Sequence, residues 1–570
     1  MDPLILALAL AGGFAATLLV FLLLGYGIAC RLQQLCRLPA AYRFPLIWIA
    51  NGLVGYAVFF AHVHSRWMGE WVAWILLLAQ LGLTGYALWR WRQKRALLWV
   101  GGSGLVVLGM GIFYLWTLLG VAGPDRMIEI PAARFLSHKL PGDNVIPYTV
   151  GHYILDESWG EVLFDHDNLE GWQVSDRPPL QTGFYLAERP LIRLLGVPSS
   201  VGYQLLGMIL QLVWIPAFWL LARCFIRGPG SGRLLFLVAG SGLVVANMGY
   251  VWPKLLSAGY VLLAITILLR RSAHPGRLVL ASVSFALALL SHGGALFTAP
   301  AFGLAFLRGW HRRFFIGMGL GLGTAVVMLG PWMSFQKLVQ PPGNNLVKWH
   351  LAGDHEPDDS SLGDAMREAY GAVTWQYALE QRWANLRMIA GFHHEHTPEF
   401  SSFNAWHDSM RRMQWFLIVP SAGALWLGLL GYGWRREAKS RSARGSPPLG
   451  AWHLLLWSLL SWLFWVALVF EGGEAFVHHG GYATLLLFYL WLGIGVLRGP
   501  GWLFWIALAL QMLIFFLFWW WPGNTILLAE GGRPVWSVLI LAALAYGGLA
   551  WFFCRENGSL RRAMNPAISS

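Results

Sequence analysis

The stretch "PLILALALAGGFAATLLVFLLLGYGIAC", from Pro3 to Cys30, contains no charged side chain. A helix needs about 20 consecutive apolar residues to cross the roughly 30 Å hydrocarbon layer of a bilayer, and this run is long enough. It has neither the basic segment nor the small-residue cleavage site of a signal peptide, so we interpret it as a retained helix. The stretch therefore predicts a helix that spans a membrane.

The same pattern recurs along the whole chain, in which 57% of the residues are hydrophobic and only 12% are charged. This composition is typical of membrane proteins and excludes an ordinary soluble domain. We count about fifteen apolar runs of roughly 17 to 25 residues. Their approximate centres are Thr17, Gly55, Gln80, Gly109, Gln211, Gly242, Leu263, Leu287, Ala301, Thr324, Trp426, Trp462, Tyr489, Gln511 and Ala543. The expected fold class is an all-α polytopic membrane protein with about fifteen transmembrane helices.

Basic residues are concentrated in every second loop between these runs. Such loops hold about 25 of the 41 lysines and arginines, including "RWRQKR" at 90–95 and "RRSAHPGR" at 270–277. Because cytoplasmic loops collect Lys and Arg, we expect the N-terminus outside and the C-terminus inside. The net charge of +13 then indicates topology and attraction to anionic lipid headgroups, and no nucleic-acid partner is expected.

Two loops on the expected outer side are long, and they divide the chain. We expect three accessory transmembrane helices in 1–95 and a seven-helix module in 96–336, which contains the first long loop at 122–199. The second long loop is 337–412, and the remaining helices and a cytoplasmic tail occupy 413–570. Long ordered loops beside a helical bundle usually carry function.

Carboxylates are concentrated in the first long loop. The segment "GDNVIPYTVGHYILDESWGEVLFDHDNLEGWQVSDRPPL", from Gly142 to Leu180, holds eight of the chain's 28 Asp and Glu residues. Asp143 follows Pro-Gly, which places it in a turn, and Asp176 begins "DRPPL", whose prolines favour a rigid extended segment. We interpret Asp156, Glu157, Glu161 and Glu170 as part of a solvated loop surface.

The elements "PGDNVIPY" and "DRPPLQTGFYL" in this position resemble the first outer loop of the GT-C superfamily of membrane glycosyltransferases. The similarity is to its protein O-mannosyltransferase and aminoarabinose transferase types, in which that loop carries an acidic residue and then a basic-Pro-Pro-Leu element. Asp143 matches the first feature and the run from Arg177 to Leu180 matches the second. The resemblance implies a seven-helix module with long outer segments after its first and seventh helices.

The chemistry implied by this resemblance selects the candidate site residues. A sugar carried on a lipid phosphate leaves an anionic phosphate, which needs cations, and the attacking hydroxyl needs a base. We expect Asp143 and Asp176 to be catalytic, with Asp143 as the general base. Arg177 and Lys254, the latter in "YVWPKLLSAGY", are the expected phosphate ligands. The alternative interpretation of Lys254 is that it only extends its ammonium group to the membrane interface.

Histidines and one tyrosine complete the set of candidates. His478 and His479, in "EGGEAFVHHGGYA", are expected to bind the donor phosphate, and Tyr148 and His292 are expected to bind substrate. Ordinary interfacial histidines are the alternative for the pair. No cofactor is expected, and the alternative is a divalent cation held by Asp165 and Asp167 of "FDHD".

The sequence thus predicts an enzyme that moves a sugar from a polyprenyl-phosphate donor to a lipid, glycan or protein acceptor outside the cytoplasm. Its other partners would be membrane lipids, and its location the inner (plasma) membrane of a bacterial cell envelope. Two alternatives remain open. A ligase or polymerase of lipid-linked polysaccharides would use Arg382, Arg387, His393, His394 and Arg411 of the second long loop. A transporter or flippase would require ionisable residues or broken helices at the bilayer midplane.

Overall fold

The computed structural model describes most of the chain, and every regular element within the described residues is helical. The described residues are 2–90, 94–122, 142–156, 173–226, 230–270, 274–310, 314–341, 343–354, 358, 360–391, 401–414, 417–433, 449–472, 482–521 and 534–554.

The chain up to residue 334 contributes fourteen α-helices to the described structure. They are α1 (Pro3–Leu35), α2 (Arg43–His64), α3 (Arg66–Arg90), α4 (Lys94–Ala122), α5 (Ile146–Leu155), α6 (Leu180–Leu194), α7 (Ser199–Gln211), α8 (Trp214–Phe225), α9 (Gly230–Ala239), α10 (Gly242–Tyr250), α11 (Lys254–Leu268), α12 (Pro275–Ser291), α13 (Ala299–Trp310) and α14 (Phe314–Ser334).

Ten further α-helices follow among the described residues of the second half. They are α15 (Asn345–Ala352), α16 (Leu362–Gly371), α17 (Trp375–Ala390), α18 (Phe403–Met413), α19 (Ile418–Ala422), α20 (Gly428–Gly433), α21 (Trp452–Leu468), α22 (Ala483–Arg498), α23 (Gly501–Phe515) and α24 (Trp536–Cys554).

Seven helices in the described structure are long and apolar enough to cross a membrane, and an eighth span results if the bent pair α9 and α10 is counted as one. The seven are Pro3–Leu35, Ala40–His64, Arg66–Arg90, Ser103–Val121, Ser199–Phe225, Phe314–Val339 and Gly501–Trp520. The expectation of an all-helical chain with several helices able to span a membrane is therefore confirmed. Shorter apolar helices, among them α11, α12, α21 and α22, pack between them.

Helix α11 runs through the centre of the bundle and defines two opposite ends. All of its residues from Lys254 to Leu268 are buried. Just beyond its last turn, Arg270 donates from Nε to the hydroxyl of Tyr42 at 3.0 Å. Arg277, in the first turn of α12, donates from Nε to the carbonyl of Cys36 at the end of α1, also at 3.0 Å. We call this arginine-rich end the basic face, and Lys254 lies at the opposite end.

Helix α2 is buried against α6, which belongs to the first long loop. Gly55 and Gly183 face each other so closely that a Cβ on Gly183 would lie 2.3 Å from the carbonyl oxygen of Gly55. Tyrosine hydroxyls fasten the same helix to other spans: Tyr56 donates to Met328 O at 2.7 Å, and Tyr260 donates to Trp48 O at 2.7 Å. Small residues allow close packing where apolar surroundings provide no hydrophobic drive for helix association.

Two helices are interrupted inside the bundle, and one glutamine satisfies the backbone groups that the breaks release. The pair α9 and α10 bends by 66°, and the chain breaks again at Gly423, where φ is +53°. The buried side chain of Gln511 donates from Nε2 to Gly240 O at 2.9 Å and accepts from Ala424 N at 2.8 Å. In an apolar interior each such group would otherwise be costly to leave unpaired.

We therefore expect Gln511→Leu to destabilise the protein. The substitution keeps the side chain's approximate volume but leaves a buried carbonyl and a buried N–H without their partner, at about 1–3 kcal/mol for each. Thermal unfolding of the purified full-length protein in detergent measures the effect. Leu513→Ala, in the same helix and 50% exposed, is the control, and an equal midpoint for the two variants would show that the bridge contributes nothing.

Candidate functional site

Two residues of the first long loop meet as an ion pair. Asp143 lies in the 3-10 turn Gly142–Asn144 ahead of α5, and Arg177 follows the 3-10 turn Val174–Asp176 ahead of α6. The guanidinium Nη1 of Arg177 is 3.2 Å from Oδ1 of Asp143, and the side chains are 17% and 10% exposed, respectively. The pair is thus largely withdrawn from water yet reachable from the surface.

Lys254, the first residue of α11, lies beside this ion pair. Its ammonium group interacts electrostatically with both Asp143 and Arg177. The side chain is 3% exposed, and Nζ lies 3.2 Å from the centroid of the Trp252 ring. Nζ also donates to the hydroxyl of Tyr482 at 3.4 Å. The ring faces and the carboxylate compensate part of the large cost of burying a positive charge.

The backbone at two neighbours of Lys254 adopts the left-handed conformation. Val251 has φ +50° and Tyr482 has φ +31°. For a β-branched residue such as valine this is a genuine outlier, and residues of this kind are concentrated at functional sites. Both outliers adjoin the same ammonium group, since Val251 precedes Trp252 and Tyr482 contacts Nζ directly. The fold accepts local strain to hold Lys254 and its aromatic neighbours in place.

Two histidines join the cluster in complementary tautomers. Nδ1 of His292 accepts from the N–H of Gly294 at 3.1 Å, so Nε2 is its donor nitrogen. Nδ1 of His350, in α15, donates to the carbonyl of Leu346 at 2.5 Å, so Nε2 is its acceptor nitrogen. The two rings interact with each other and with Lys254. Burial and Lys254 lower the pKa of His350 to about 4, so this imidazole is neutral at pH 7.

Asp176 sits one residue before Arg177 and joins the two long loops. Its carboxylate accepts from the N–H of Gln173 at 3.1 Å, the N–H of Asn345 at 3.0 Å and Nδ2 of Asn345 at 3.1 Å. Burial raises the pKa of Asp176, while these donors and the neighbouring Arg177 act in the opposite direction. The hydrogen bonds occupy both carboxylate oxygens, so the geometry favours a positioning role for this residue.

Two glutamines at the start of the second long loop and just before it, Gln340 and Gln336, strengthen the same junction. Gln340 accepts from the N–H of Ser175 at 2.8 Å. Gln336 donates to the carbonyl of Ser175 and to that of Gly343, in both cases at 2.8 Å. The backbone just before Arg177 is thus held from both sides by a segment that lies about 165 residues away.

An aromatic cluster fixes the other side of the ion pair. Tyr203 donates to the carbonyl of Asn144 at 2.6 Å, which positions the turn that carries Asp143. Gln181 bridges the Tyr203 hydroxyl and the carbonyl of Val251, at 2.8 and 2.9 Å. Tyr148 packs on the Tyr203 ring at 5.3 Å between centroids and shares a hydrogen bond with Ser199. Lys254, Arg177 and Asp143 are thereby linked to one network.

The structure thus brings four of the sequence-predicted site residues together: Asp143, Arg177, Lys254 and His292. Asp176 and Tyr148 lie next to them in supporting contacts. His478 and His479 fall outside the described residues, as do Asp165 and Asp167. The catalytic and binding roles of all these residues stay predictions.

Three members of the cluster were not among the predicted site residues: Trp252, His350 and Tyr482. Trp252 and Tyr482 stand within the motifs "YVWPKLLSAGY" and "EGGEAFVHHGGYA". Both motifs already held candidate phosphate ligands, so the sequence did contain a signal for these two residues. His350 follows a lysine and a tryptophan in the second long loop, and no local pattern distinguishes it from an interfacial residue.

Arg382, from the alternative set in the second long loop, has a mainly structural environment. It donates to the carbonyls of Val469 at 2.7 Å and Phe470 at 2.9 Å, which attaches α17 to the end of α21. Arg411 of α18 is 2% exposed. His393 and His394 lie outside the described residues.

We expect Asp176→Asn to weaken the junction between the loops. One acceptor oxygen becomes an NH₂ group that faces N–H donors, so at least one buried donor loses its partner, at a cost of about 1–3 kcal/mol. The thermal midpoint of the purified protein should fall, whereas that of the exposed-site control Asp156→Asn should not. Equal midpoints for the two variants would contradict the positioning role.

Comparison with known proteins adds no further likeness: no family model, curated protein or solved structure matches this chain.

Proposed function

We propose that the protein is an integral-membrane glycosyltransferase that takes a sugar from a polyprenyl-phosphate donor. The observation that carries this proposal is the convergence of one carboxylate and two cations, Asp143, Arg177 and Lys254, from distant segments at one end of the bundle. The proposal includes the finer topology of about fifteen spans, with the N-terminus outside, the C-terminus inside and this cluster on the extracytoplasmic side.

The charges of the cluster fit a lipid phosphate. A sugar esterified to a polyprenyl phosphate carries one negative charge, and the phosphate that leaves after transfer gains a second. Arg177 and Lys254 supply two positive charges in a poorly hydrated site, where fixed cations stabilise developing negative charge most effectively. Arg177 presents a planar set of donors that suits phosphate oxygens, and Lys254 acts as a compact positive charge.

Asp143 is the general base in this proposal. The acceptor hydroxyl transfers its proton to Oδ of Asp143 while its oxygen forms the bond to the anomeric carbon of the sugar. The bond between that carbon and the phosphate oxygen breaks, and its electron pair remains on polyprenyl phosphate. A donor phosphate that binds Arg177 competes with the 3.2 Å ion pair to Asp143. Donor binding thereby makes the carboxylate available for the proton.

The histidines suit a ligand with many hydroxyl groups. Each hydroxyl of a sugar both donates and accepts a hydrogen bond. His292 offers a donor nitrogen and the neutral His350 an acceptor nitrogen in the same cluster. The resemblance of "PGDNVIPY" and "DRPPLQTGFYL" to the first outer loop of GT-C enzymes supports the same reading, because Asp143 and Arg177 are the two residues that carry it.

A transporter or flippase is the second candidate, and the two helix breaks joined by Gln511 favour it. Interrupted helices in the bundle interior are typical of transporter substrate sites. Here, however, the exposed backbone groups at Gly240 and Ala424 are bonded to a protein side chain. Reconstituted protein that moves a fluorescent polyprenyl-phosphate analogue across vesicles, without any sugar transfer, would replace the transferase proposal.

Asp143→Asn should abolish most of the transfer activity. Loss of the base lowers the rate of proton transfer by about 10²–10⁴-fold, while the phosphate-binding cations remain. The measurement is release of polyprenyl phosphate from a panel of labelled polyprenyl-phosphate sugars by purified protein in detergent. The control is Asp156→Asn, which changes an exposed carboxylate of the same loop. Full activity in Asp143→Asn would exclude this residue as the base.

Lys254→Met should weaken donor binding. The methionine keeps much of the side-chain volume but removes the positive charge, and we expect the KM for donor to rise about tenfold or more, with a parallel loss of affinity for polyprenyl phosphate itself. Lys337→Met, which removes an exposed lysine just after α14, is the matched control. An unchanged affinity in Lys254→Met would show that this lysine only packs against Trp252 and Tyr482.

A further inference from the structure

Four arginines from separate helix ends meet at the basic face, far from the cluster of Asp143 and Lys254. Arg270 lies over the ring of the buried Tyr42 at 5.1 Å from its centroid. Arg277 donates to the carbonyls of Cys36 and Arg37, at 3.0 and 2.5 Å, and so caps the end of α1. Arg223, in the last turn of α8, lies over the ring of Trp219 at 4.9 Å.

These positive charges repel one another. Arg270 acts unfavourably on both Arg223 and Arg277, and Arg37 acts unfavourably on Arg277. The sequence segments that carry them, 30–43, 219–233 and 268–278, contain no Asp or Glu. Arg37 and Arg270 are exposed, whereas Arg223 and Arg277 are partly buried. Like charges held together in this way cost free energy, and an anion bound among them would reduce that cost.

Arg37, beside this cluster, adopts the left-handed backbone conformation. It follows the last turn of α1 with φ +50°, in the position where helices commonly end with glycine. A residue with a Cβ pays about 1–2 kcal/mol for this conformation. A glycine would fit the turn with less strain, and strained residues of this kind are concentrated at functional sites.

The surroundings of the cluster match the edge of a bilayer. Leu35, two residues before Arg37, is 70% exposed. Trp219, which lies under Arg223, is partly exposed and combines an apolar ring with a polar N–H, a character common at membrane interfaces. Apolar contacts for an acyl chain therefore adjoin guanidinium groups that suit a phosphate.

We infer that this cluster binds the phosphate headgroup of an anionic phospholipid from the leaflet at the basic face. Arg37, Arg223 and Arg270 contact the phosphate, and Arg277 holds the end of α1 in position. The inference goes beyond the proposed function and does not depend on it, because the site shares no residue with the candidate transferase site. The inference is also more specific than the general attraction of basic loops to anionic lipid, because it assigns named side chains to one bound headgroup.

The experiment is native mass spectrometry of the full-length protein in detergent, titrated with phosphatidylglycerol or phosphatidylcholine. The wild-type protein should retain phosphatidylglycerol preferentially. The double variant Arg223→Gln with Arg270→Gln should bind it about tenfold more weakly. The control removes the same charge from two other helix ends on this face, with Arg308→Gln near the end of α13 and Arg498→Gln at the end of α22, and should bind as the wild type does. An equal loss in the control would mean diffuse attraction and would overturn the site.

Arg37→Gly separates lipid binding from a purely structural role. Glycine relieves the left-handed strain, so the thermal midpoint without added lipid should be unchanged or higher. The rise in midpoint that phosphatidylglycerol produces should become smaller. A full lipid-dependent rise in Arg37→Gly would overturn the role of Arg37. Stabilisation by inorganic phosphate at the same concentration, equal to that by phosphatidylglycerol, would assign the cluster to a soluble anion and overturn the lipid assignment.

Discussion

The burial of one ammonium group constrains the architecture around the candidate site. Lys254 is 3% exposed at the start of a helix that is buried along its whole length. A charge in such surroundings costs several kcal/mol unless neighbours compensate it. Compensation comes from a carboxylate in the first long loop and from two aromatic rings, of which one belongs to a segment more than 200 residues away. The chain must therefore bring three distant segments together before this helix can be stable.

A second constraint is the need to satisfy backbone polar groups where helices stop inside an apolar bundle. The breaks at Gly240 and Gly423 meet at Gln511. The turns before Arg177 are held in the same way by Asp176, Gln336 and Gln340. Amide and carboxylate side chains thus form the hydrogen bonds to free backbone groups that water forms at the ends of helices in soluble proteins.

Much of this arrangement could be predicted from the sequence. Apolar run length predicted an all-helical membrane protein, and the motifs "PGDNVIPY" and "DRPPLQTGFYL", through their resemblance to a known outer loop, singled out Asp143 and Arg177, which lie 3.2 Å apart. Lys254 was selected because a leaving phosphate needs cations and this lysine lies at the expected outer end of an apolar run. The left-handed backbone at Val251 and Tyr482 was not predictable, since neither residue type favours it. The helix breaks were missed because a continuous apolar run has the same composition whether it bends or not.

His350 shows a different limit of sequence reasoning. The position of His350 in the cluster depends on the contacts that hold α15 in place. One of them is a hydrogen bond from the N–H of Phe470 to the carbonyl of His350, at 2.8 Å. Lys348, completely buried in the same helix, pairs with Asp354 at 3.6 Å and with Asp358. These contacts join residues that no local periodicity relates. Tertiary contacts of this kind decide which histidine of a loop enters a site.

The junction between the two long loops has a consequence for the biogenesis of the protein. Asp176 and its partner Asn345 are separated by 169 residues. At translation rates of about 5–20 residues per second, the first loop is synthesised about ten to thirty seconds before its partner. During that interval the carboxylate that later bonds Asn345 is hydrated, and the turn before Arg177 lacks its clamp. The cluster can therefore form only after most of the spans have been inserted, which makes its assembly a late event in the maturation of the chain.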